Sequence, residues 1–413
     1  MITGKDIIYV SSIDWDFLWQ GHQEIATRLA AAGNRVLFIE NTGVRSLRLK
    51  DGTRLLARLR NWLHNLRTGG VRKIAANIYV CSPVVLPPLG SAWQREINRR
   101  LFLPLIARAA RKLNMRGSLL WTYLPTDTAL DVLELLRTPE SVLVYYCADN
   151  FTQVTTNPQR LRETETALLE VSDLVFTTCS ELASHCKQWN ANVHVFPSGV
   201  NMDVFPLEPD VRGSDHYSPN GKLRRLQRPV IGYIGGLHSH VDFALLTEVA
   251  RSRPLWSVVL VGALQTSPGE LSTLSNVHFM GQQPHGSLAA YLREFDVCIV
   301  PYINSAYTAT VVPTKINEYL ALGKPVVSTN LPSVVEFNQK HKILQISSPR
   351  PNEFLQAIEQ ALQLPNDGQD QARRREVAKS ADWRIRLEAM SELIEAAFAK
   401  KAFAKKNGLS KGD

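Results

Sequence analysis

Short β-branched runs alternate with amphipathic stretches along the whole chain, and the alternation stops once and starts again. In the first stretch Ile7–Ser11, Arg35–Glu40, Asn77–Cys81, Ser118–Thr122, Val142–Cys147, Leu174–Thr177 and Val193–Phe196 read as strands. Helical periodicity lies between them at Gln20–Ala32 and at about 54–67, 91–113, 128–136, 159–171 and 180–187. Strands that alternate with helices pair in parallel through right-handed crossovers, which predicts a doubly wound α/β sheet. Residues 206–229 are rich in Pro, Gly, Ser and Asp and lose the apolar period. They read as a linker. Beyond them Val230–Ile234, Ser257–Val261, Val277–Met280, Val297–Val300, Pro325–Ser328 and Ile343–Ile346 read as a second set of strands. Helices are expected near 240–250, 287–294, 314–322, 351–363 and 370–380, and a last one runs from Trp383 to Phe403. The chain of 413 residues therefore divides into a first domain at 1–205, a linker at 206–229, a second domain at 230–382 and a closing helix and tail at 383–413. Two doubly wound domains are expected to face each other across a cleft, with ligands at the C-terminal ends of the strands.

Composition removes other classes. A hydrophobic fraction of 45% with 21% charged residues is globular, not disordered or fibrous. Mean hydropathy is −0.12, and no apolar run approaches the roughly 20 residues of a spanning helix. Met1-Ile2-Thr3-Gly4-Lys5-Asp6 passes directly into the apolar run at Ile7, without the pattern of a signal peptide. Five cysteines without a CxxC pair fit a reduced, cytoplasmic compartment and argue against a zinc site.

The net charge of +9 is unevenly placed. Residues 45–73 carry +8, residues 95–116 carry +6 and residues 400–413 carry +4, so the remainder is −9. Within the first segment, Leu55, Leu56, Leu59, Trp62, Leu63 and Leu66 fall on one helical face, with Arg54, Arg58, Arg60 and Arg67 mostly off it. A basic amphipathic helix with a tryptophan suits an anionic membrane surface. An ordinary surface helix packed on its own sheet is the plain alternative. No RNP string, zinc finger or helix-turn-helix pattern supports nucleic acid as a partner.

Three segments carry candidate chemistry. The first strand of the second domain ends in Gly232-Tyr233-Ile234-Gly235-Gly236, and the next ends in Val261-Gly262-Ala263. Glycine where a chain leaves the sheet lets backbone N–H groups approach an anion. Further on, Pro313-Thr314-Lys315-Ile316-Asn317-Glu318-Tyr319 opens a helix with Lys315 and Glu318 three residues apart on one face. An ammonium suits a diphosphate, and a carboxylate one turn on suits a ribose diol. A surface ion pair between the two is the plain alternative. In the first domain, the loop Ser11-Ser12-Ile13-Asp14-Trp15-Asp16-Phe17-Leu18-Trp19 leads to His22. Trp15 and Trp19 offer rings for a sugar, and Asp14 or His22 offers a base for an acceptor hydroxyl. Packing is the competing role for the tryptophans, and packing or capping for His22. Tyr145-Tyr146-Cys147-Ala148-Asp149-Asn150 closes another strand, and Asp149 is either a site carboxylate or a cap for the turn before Phe151. Ser180 is expected to cap the helix that follows it.

The string 313–327 resembles the donor-binding helix of GT-B nucleotide-sugar glycosyltransferases, in particular the group 1 family of bacterial polysaccharide biosynthesis. Phe196-Pro197-Ser198-Gly199-Val200-Asn201, Ile231-Gly232-Tyr233-Ile234-Gly235-Gly236, Phe295-Asp296-Val297-Cys298-Ile299-Val300-Pro301-Tyr302 and Asp382-Trp383 are similar to further stretches of that family, in order. The resemblance implies two Rossmann-like domains, with a C-terminal helix that crosses back to the first. By the same resemblance Thr314, Lys315 and Glu318 hold the donor's diphosphate and ribose, and Gly235, Gly236 and Gly262 line its pocket. Asp149 occupies the strand end that faces the reacting sugar in relatives. Many members also have a glutamate eight residues before the one matched by Glu318; this chain has Thr310 there.

The implied function is transfer of a sugar from a nucleotide diphosphate sugar to a saccharide or lipid-linked acceptor, at the cytosolic face of a membrane. No other cofactor is implied. No metal is expected, because Asp14-Trp15-Asp16, the one D-x-D string, lies in the first domain, away from the donor segment. A nucleotide-sugar epimerase or a non-catalytic scaffold of the same fold are the alternatives.

Overall fold

The computed structural model describes residues 1–42, 70–83, 85–86, 91–207, 221, 223–364 and 368–407. The chain forms two units, Met1–Pro197 with Arg384–Asp413, and Ser198–Trp383. Each is built on its own α/β sheet, as the alternation predicts.

In unit 1 the strands are β1 Asp6–Val10, β2 Arg35–Ile39, β3 Val71–Ala75, β4 Ile78–Cys81, β5 Leu119–Thr122, β6 Val142–Cys147, β7 Leu174–Thr177 and β8 Val193–Val195. They lie in the order β3-β4-β2-β1-β5-β6-β7-β8. All neighbours are parallel except β3, an antiparallel edge strand on β4. Central strands such as β5, β6 and β7 are buried along their whole length. That is why they read as continuous apolar runs rather than as alternating ones. β3 was not expected. Its residues Val71-Arg72-Lys73-Ile74-Ala75 carry two cations and stay half-buried or exposed, and its pairing comes from a hairpin with β4.

In unit 2 the strands are β9 Val230–Ile234, β10 Ser257–Val261, β11 Val277–Gly281, β12 Val297–Val300, β13 Val326–Thr329 and β14 Gln345–Ser347. The order β11-β10-β9-β12-β13-β14 is parallel throughout. Both sheets reverse winding direction beside their first strand, between β1 and β5 and between β9 and β12. At such a switch point the loops after two neighbouring strands diverge and leave a crevice for a ligand.

The helical stretch expected at 91–113 forms, as α-helices Ala92–Ile97 and Leu103–Lys112 joined by a π turn at Asn98–Phe102. Other expectations need correction. The helix Pro332–His341 was not expected, because its polar composition hides the period. Cys179, not Ser180, stands at the cap of the helix Ser180–Cys186. The division between units falls at Pro197/Ser198, so Met202 and Phe205 join the unit 2 core. Within 206–229, residues 208–220 and 222 lie outside the described residues. Leu223 opens a 3-10 turn and is fully buried in the same core, so this part is not a free linker.

The last helix, Trp383–Lys406, starts at the end of unit 2 and continues in unit 1. There Lys401 donates to the Ser141 carbonyl and pairs with Asp173, Lys405 pairs with Glu140, and Lys5 lies over the Phe398 ring. Two cations of the basic tail are thus spent on ion pairs. The same holds for Arg72 with Asp16 and Glu40, and for Arg95 with Asp127 and Asp131. The helix expected at 54–67, with Arg54, Arg58, Arg60, Trp62 and Arg67, lies outside the described residues. Among the described residues, no helix is long and apolar enough to cross a membrane.

Candidate functional site

In unit 2 the crevice between β9 and β12 is organised by Tyr319. This residue is fully buried, and its hydroxyl accepts the Ile234 N–H at 3.0 Å, at the end of β9, and lies 3.4 Å from the Ile299 carbonyl of β12. It therefore holds the helix Lys315–Ala321 against both strand ends. One turn earlier on that helix, Lys315 is directed into the crevice.

Lys315 is only 8% exposed. Its Nζ donates to the Tyr302 hydroxyl at 2.5 Å and stands 4.8 Å and 5.2 Å from the ring centres of Tyr302 and Tyr233. Among the described residues, no carboxylate lies within ion-pair distance of it. Electron-rich ring faces offset part of the cost of burying an ammonium, but the largest compensation, an anion, is not supplied by any described residue. The surface ion pair with Glu318 is not formed. Glu318 instead meets His285, whose Nε2 lies 3.2 Å from Oε1, and the His285 ring packs edge-on against Phe205 at 5.7 Å. Thr314 precedes the helix and is exposed. Thr310 is buried and donates to the Tyr307 carbonyl.

The two glycine loops interlock beside the ammonium. Gly235 N–H donates to the Val261 carbonyl at 2.9 Å, and Leu237 N–H to the Ala263 carbonyl at 2.9 Å. Gly262 has φ +154°, and a Cβ there would stand 1.9 Å from the Gly235 carbonyl oxygen. Gly235 has φ +125°, and a Cβ there would meet the Lys315 side chain at 3.0 Å. Only glycine fits at these two positions, because of the positive φ and because the two loops pack closely on each other and on Lys315. Gly236 lies next in this loop, where a Cβ would meet the Gln265 side chain at 2.8 Å.

Two imidazoles after the glycine loop, like that of His285, escaped the sequence reading. His238 lies three residues beyond Gly235, with its ring 5.6 Å from Tyr302. Burial, Lys315 and His240 together push it down to about 4. His240 stacks on Tyr307 at 4.4 Å. The one signal for them was their place just after a strand end.

In unit 1 the loops after β1, β5 and β6 surround the other switch point. His22 is buried on the second residue of the helix Gly21–Ala31. Its Nδ1 and Nε2 lie 3.1 Å and 3.3 Å from the hydroxyls of Ser11 and Ser12, and its ring lies on Tyr123 at 3.8 Å. Burial lowers it to about 3, so it is neutral and weakly basic. Tyr123 continues to Tyr146 at 5.1 Å, three residues before Asp149.

Asp149 is half-buried at the end of β6, and desolvation raises its carboxyl to about 7. The cap of the following turn is Asn150, whose Oδ1 accepts the Thr152 N–H. The Asp149 carboxylate thus has no capping duty, and it has no hydrogen-bond partner among the described residues. Asp14 is half-buried, and its carbonyl accepts the Phe17 N–H. Asp16 pairs with Arg72, which occupies half of the D-x-D string. Trp15 packs edge-on against Phe38 at 5.0 Å, and Trp19 donates to Glu24 while leaving 39% of its surface open. All five cysteines are buried thiols. Among the described residues, no three His, Cys, Asp or Glu side chains gather as a metal site.

Whole-chain comparison shows the same architecture in solved structures. Sucrose-phosphate synthase of Thermosynechococcus elongatus aligns over 96% of this chain and all of its own, with a TM-score of 0.70 at 18% identity. Anabaena HepE, solved with UDP and glucose, aligns over 95% of this chain and all of its own, at 0.65 and 14%. WaaG, a glycosyltransferase of lipopolysaccharide biosynthesis, covers 94% of this chain with 99% of its own, at 0.62 and 13%. The two-unit α/β fold is therefore that of the GT-B glycosyltransferases. Within the second unit, residues 228–364 match the family described as glycosyl transferases group 1. A putative teichuronic acid biosynthesis glycosyltransferase of Bacillus subtilis is 29% identical over 234 residues, a stretch that takes in 54% of this chain and 57% of that relative.

Proposed function

We propose that the protein is a glycosyltransferase that takes a sugar from a nucleotide diphosphate sugar and passes it to a saccharide or lipid-linked acceptor. The observation that carries this reading is Lys315: a buried ammonium without a carboxylate, beside two glycine loops at a sheet switch point. Such a site is built for an anion held partly by backbone. A diphosphate satisfies the charge, and its departure from the sugar is assisted by the same cation without a metal. Glu318, one turn along, takes the ribose hydroxyls, and its carboxylate is held by His285. Gly235, Gly236, Gly262 and Thr314 line the donor pocket.

In unit 1, Asp149 is the base of choice for the acceptor hydroxyl. Its carboxyl titrates near neutrality, where a base is most effective, whereas His22 is too acidic to compete. Asp14 has a supporting place on the neighbouring loop.

Nucleotide sugars with uracil, guanine and adenine bases, screened by thermal shift and then by product analysis with and without saccharide acceptors, test this. One donor class should stabilise the protein, by about 2.7 kcal/mol at a hundred times its Kd. Absence of stabilisation by every donor, or release of an epimerised nucleotide sugar without acceptor, would overturn it.

The membrane partner belongs to the same proposal, at the cytosolic face. Its sequence support is the basic segment around Arg54, Arg58, Arg60, Trp62 and Arg67. The described surface adds Trp93 at 60% and Leu101 at 62% exposure, among exposed Arg100, Arg108 and Arg111. Flotation with vesicles should show binding that requires anionic lipid. It should weaken by about 1 kcal/mol for each cation removed when Arg54, Arg58 and Arg60 become Glu. Equal binding to neutral vesicles would remove the electrostatic component.

A further inference from the structure

We propose that His238 is a second phosphate contact of the nucleotide site, donating from its Nε2–H while Lys315 supplies the positive charge. The proposal rests on the donor-site reading above and adds a residue that the sequence patterns do not mark.

The geometry fixes which nitrogen carries the proton. His238 Nδ1 accepts the backbone N–H of His240 at 3.2 Å. In a neutral ring the proton is then on Nε2, which becomes a hydrogen-bond donor. Among the described residues Nε2 has no hydrogen-bond partner. The Cδ2 atom next to it borders the glycine loop, 3.6 Å from where a Cβ on Gly236 would stand. The ring also lies 5.6 Å from Tyr302, the tyrosine that holds Lys315 Nζ. The unused N–H therefore lies by the glycine loop and Tyr302, on a ring near enough to Lys315 for the ammonium to oppose its protonation.

The electrostatics agree. Lys315 on the helix Lys315–Ala321 and His240 on the same loop both oppose a second positive charge, and Tyr302 on the facing strand end is a phenol without one. With burial added, the ring stays neutral down to about pH 4. A neutral donor beside one cation binds a polyanion without the cost of burying two cations in its absence. Because the contact is to phosphate, it does not depend on the base.

The test is equilibrium binding of UDP, GDP and ADP to wild type, His238→Ala, His238→Gln, His238→Asn and Lys315→Ala, each checked for an unchanged unfolding midpoint. Gln places an N–H where Nε2 is, whereas Asn mimics the Nδ1 side. His238→Ala should weaken every diphosphate that binds wild type by about tenfold, in equal proportion. Gln should restore most of this and Asn should not. Should Ala fail to fold, His238→Phe keeps the ring packing and loses the donor, and the same loss is expected. The ratio of wild-type to Gln affinity should stay level from pH 5.5 to 8. Unchanged affinity in the Ala or Phe variant, rescue by Asn as good as by Gln, or loss confined to one base would overturn the proposal. A ratio that climbs on acidification would make His238 a cation and overturn the neutral-donor assignment. If wild type binds none of the three, or if Lys315→Ala binds as well as wild type, the donor-site reading itself fails. If Lys315→Ala loses binding while His238→Ala does not, only the inference about His238 fails.

Discussion

Lys315→Ala is expected to weaken nucleoside diphosphate binding by about 100-fold and to leave the protein folded. A charge-assisted hydrogen bond from a buried cation to a phosphate is worth about 1.5–3 kcal/mol, and its loss leaves the anion facing neutral donors alone. The fold survives because the ammonium makes no ion pair among the described residues; its removal takes away the hydrogen bond to Tyr302 and a desolvated charge. Lys315→Arg should not rescue binding. The lysine already touches the space beside the Gly235 α-carbon, and a planar guanidinium is larger than an ammonium. Tyr302→Phe should have a smaller effect, since it leaves the charge in place. Calorimetric titration with the best-binding diphosphate reads all three. Wild-type affinity in Lys315→Ala would remove the cation from the donor site.

Asp149→Asn is expected to lower turnover by about 1,000-fold while leaving donor affinity near wild type. The wild-type rate should fall below a pH of about 7, where the carboxyl becomes protonated, and the variant should lack this limb. Stability should move the other way. Burial raises the folded-state value from 3.8 to about 7, so between these limits the folded protein binds the proton and the unfolded chain releases it. Stability therefore declines as pH rises through this window, and above it the ionised carboxylate is a fixed cost. At about 1.4 kcal/mol per unit the cost is at most about 4 kcal/mol, and about half that once the partial exposure of the side chain is allowed for. Asp149→Asn should thus unfold at a higher temperature than wild type at pH 8 and at a similar one at pH 4. Full activity in the variant would exclude Asp149 as the base. A variant that is inactive and also less stable at pH 8 would point to a structural carboxylate instead.

Lys315 and Asp149 are alike in one respect. Each is a charged group withdrawn from water without a protein counter-charge among the described residues. A chain under selection for stability alone would pair them or replace them.

Much of this was legible before the fold. The buried strands were clear because parallel strands covered on both faces are continuous apolar runs, as at Val142–Cys147 and Ser257–Val261. Edge and surface elements were not. Val71–Ala75 has two cations among five residues and is a strand because a hairpin brings it to β4. Pro332–His341 has only short apolar segments to betray its period. The stretch 206–229 has a linker's composition, yet Leu223 is buried in the unit 2 core, which local composition does not report.

The candidate site divides in the same way. Gly235, Gly262, Lys315 and Glu318 were visible because their chemistry is local: a glycine at a strand end, a cation and a carboxylate on one helical turn. The sequence by itself determined the doubly wound architecture, the two glycine loops and the placing of Lys315 and Glu318 on one helical turn, since all of these follow from periodicity and short spacing. Tertiary structure alone decided that Lys315 meets Tyr302 rather than Glu318, that Glu318 meets His285 from 33 residues away, and that the Nδ1 of His238 accepts the His240 N–H. It also decided that Asp149 titrates near neutrality and His22 far below it. The reason is physical. Desolvation and hydrogen-bond partnership depend on which distant groups the sheets bring together, and no window of neighbouring residues contains that information.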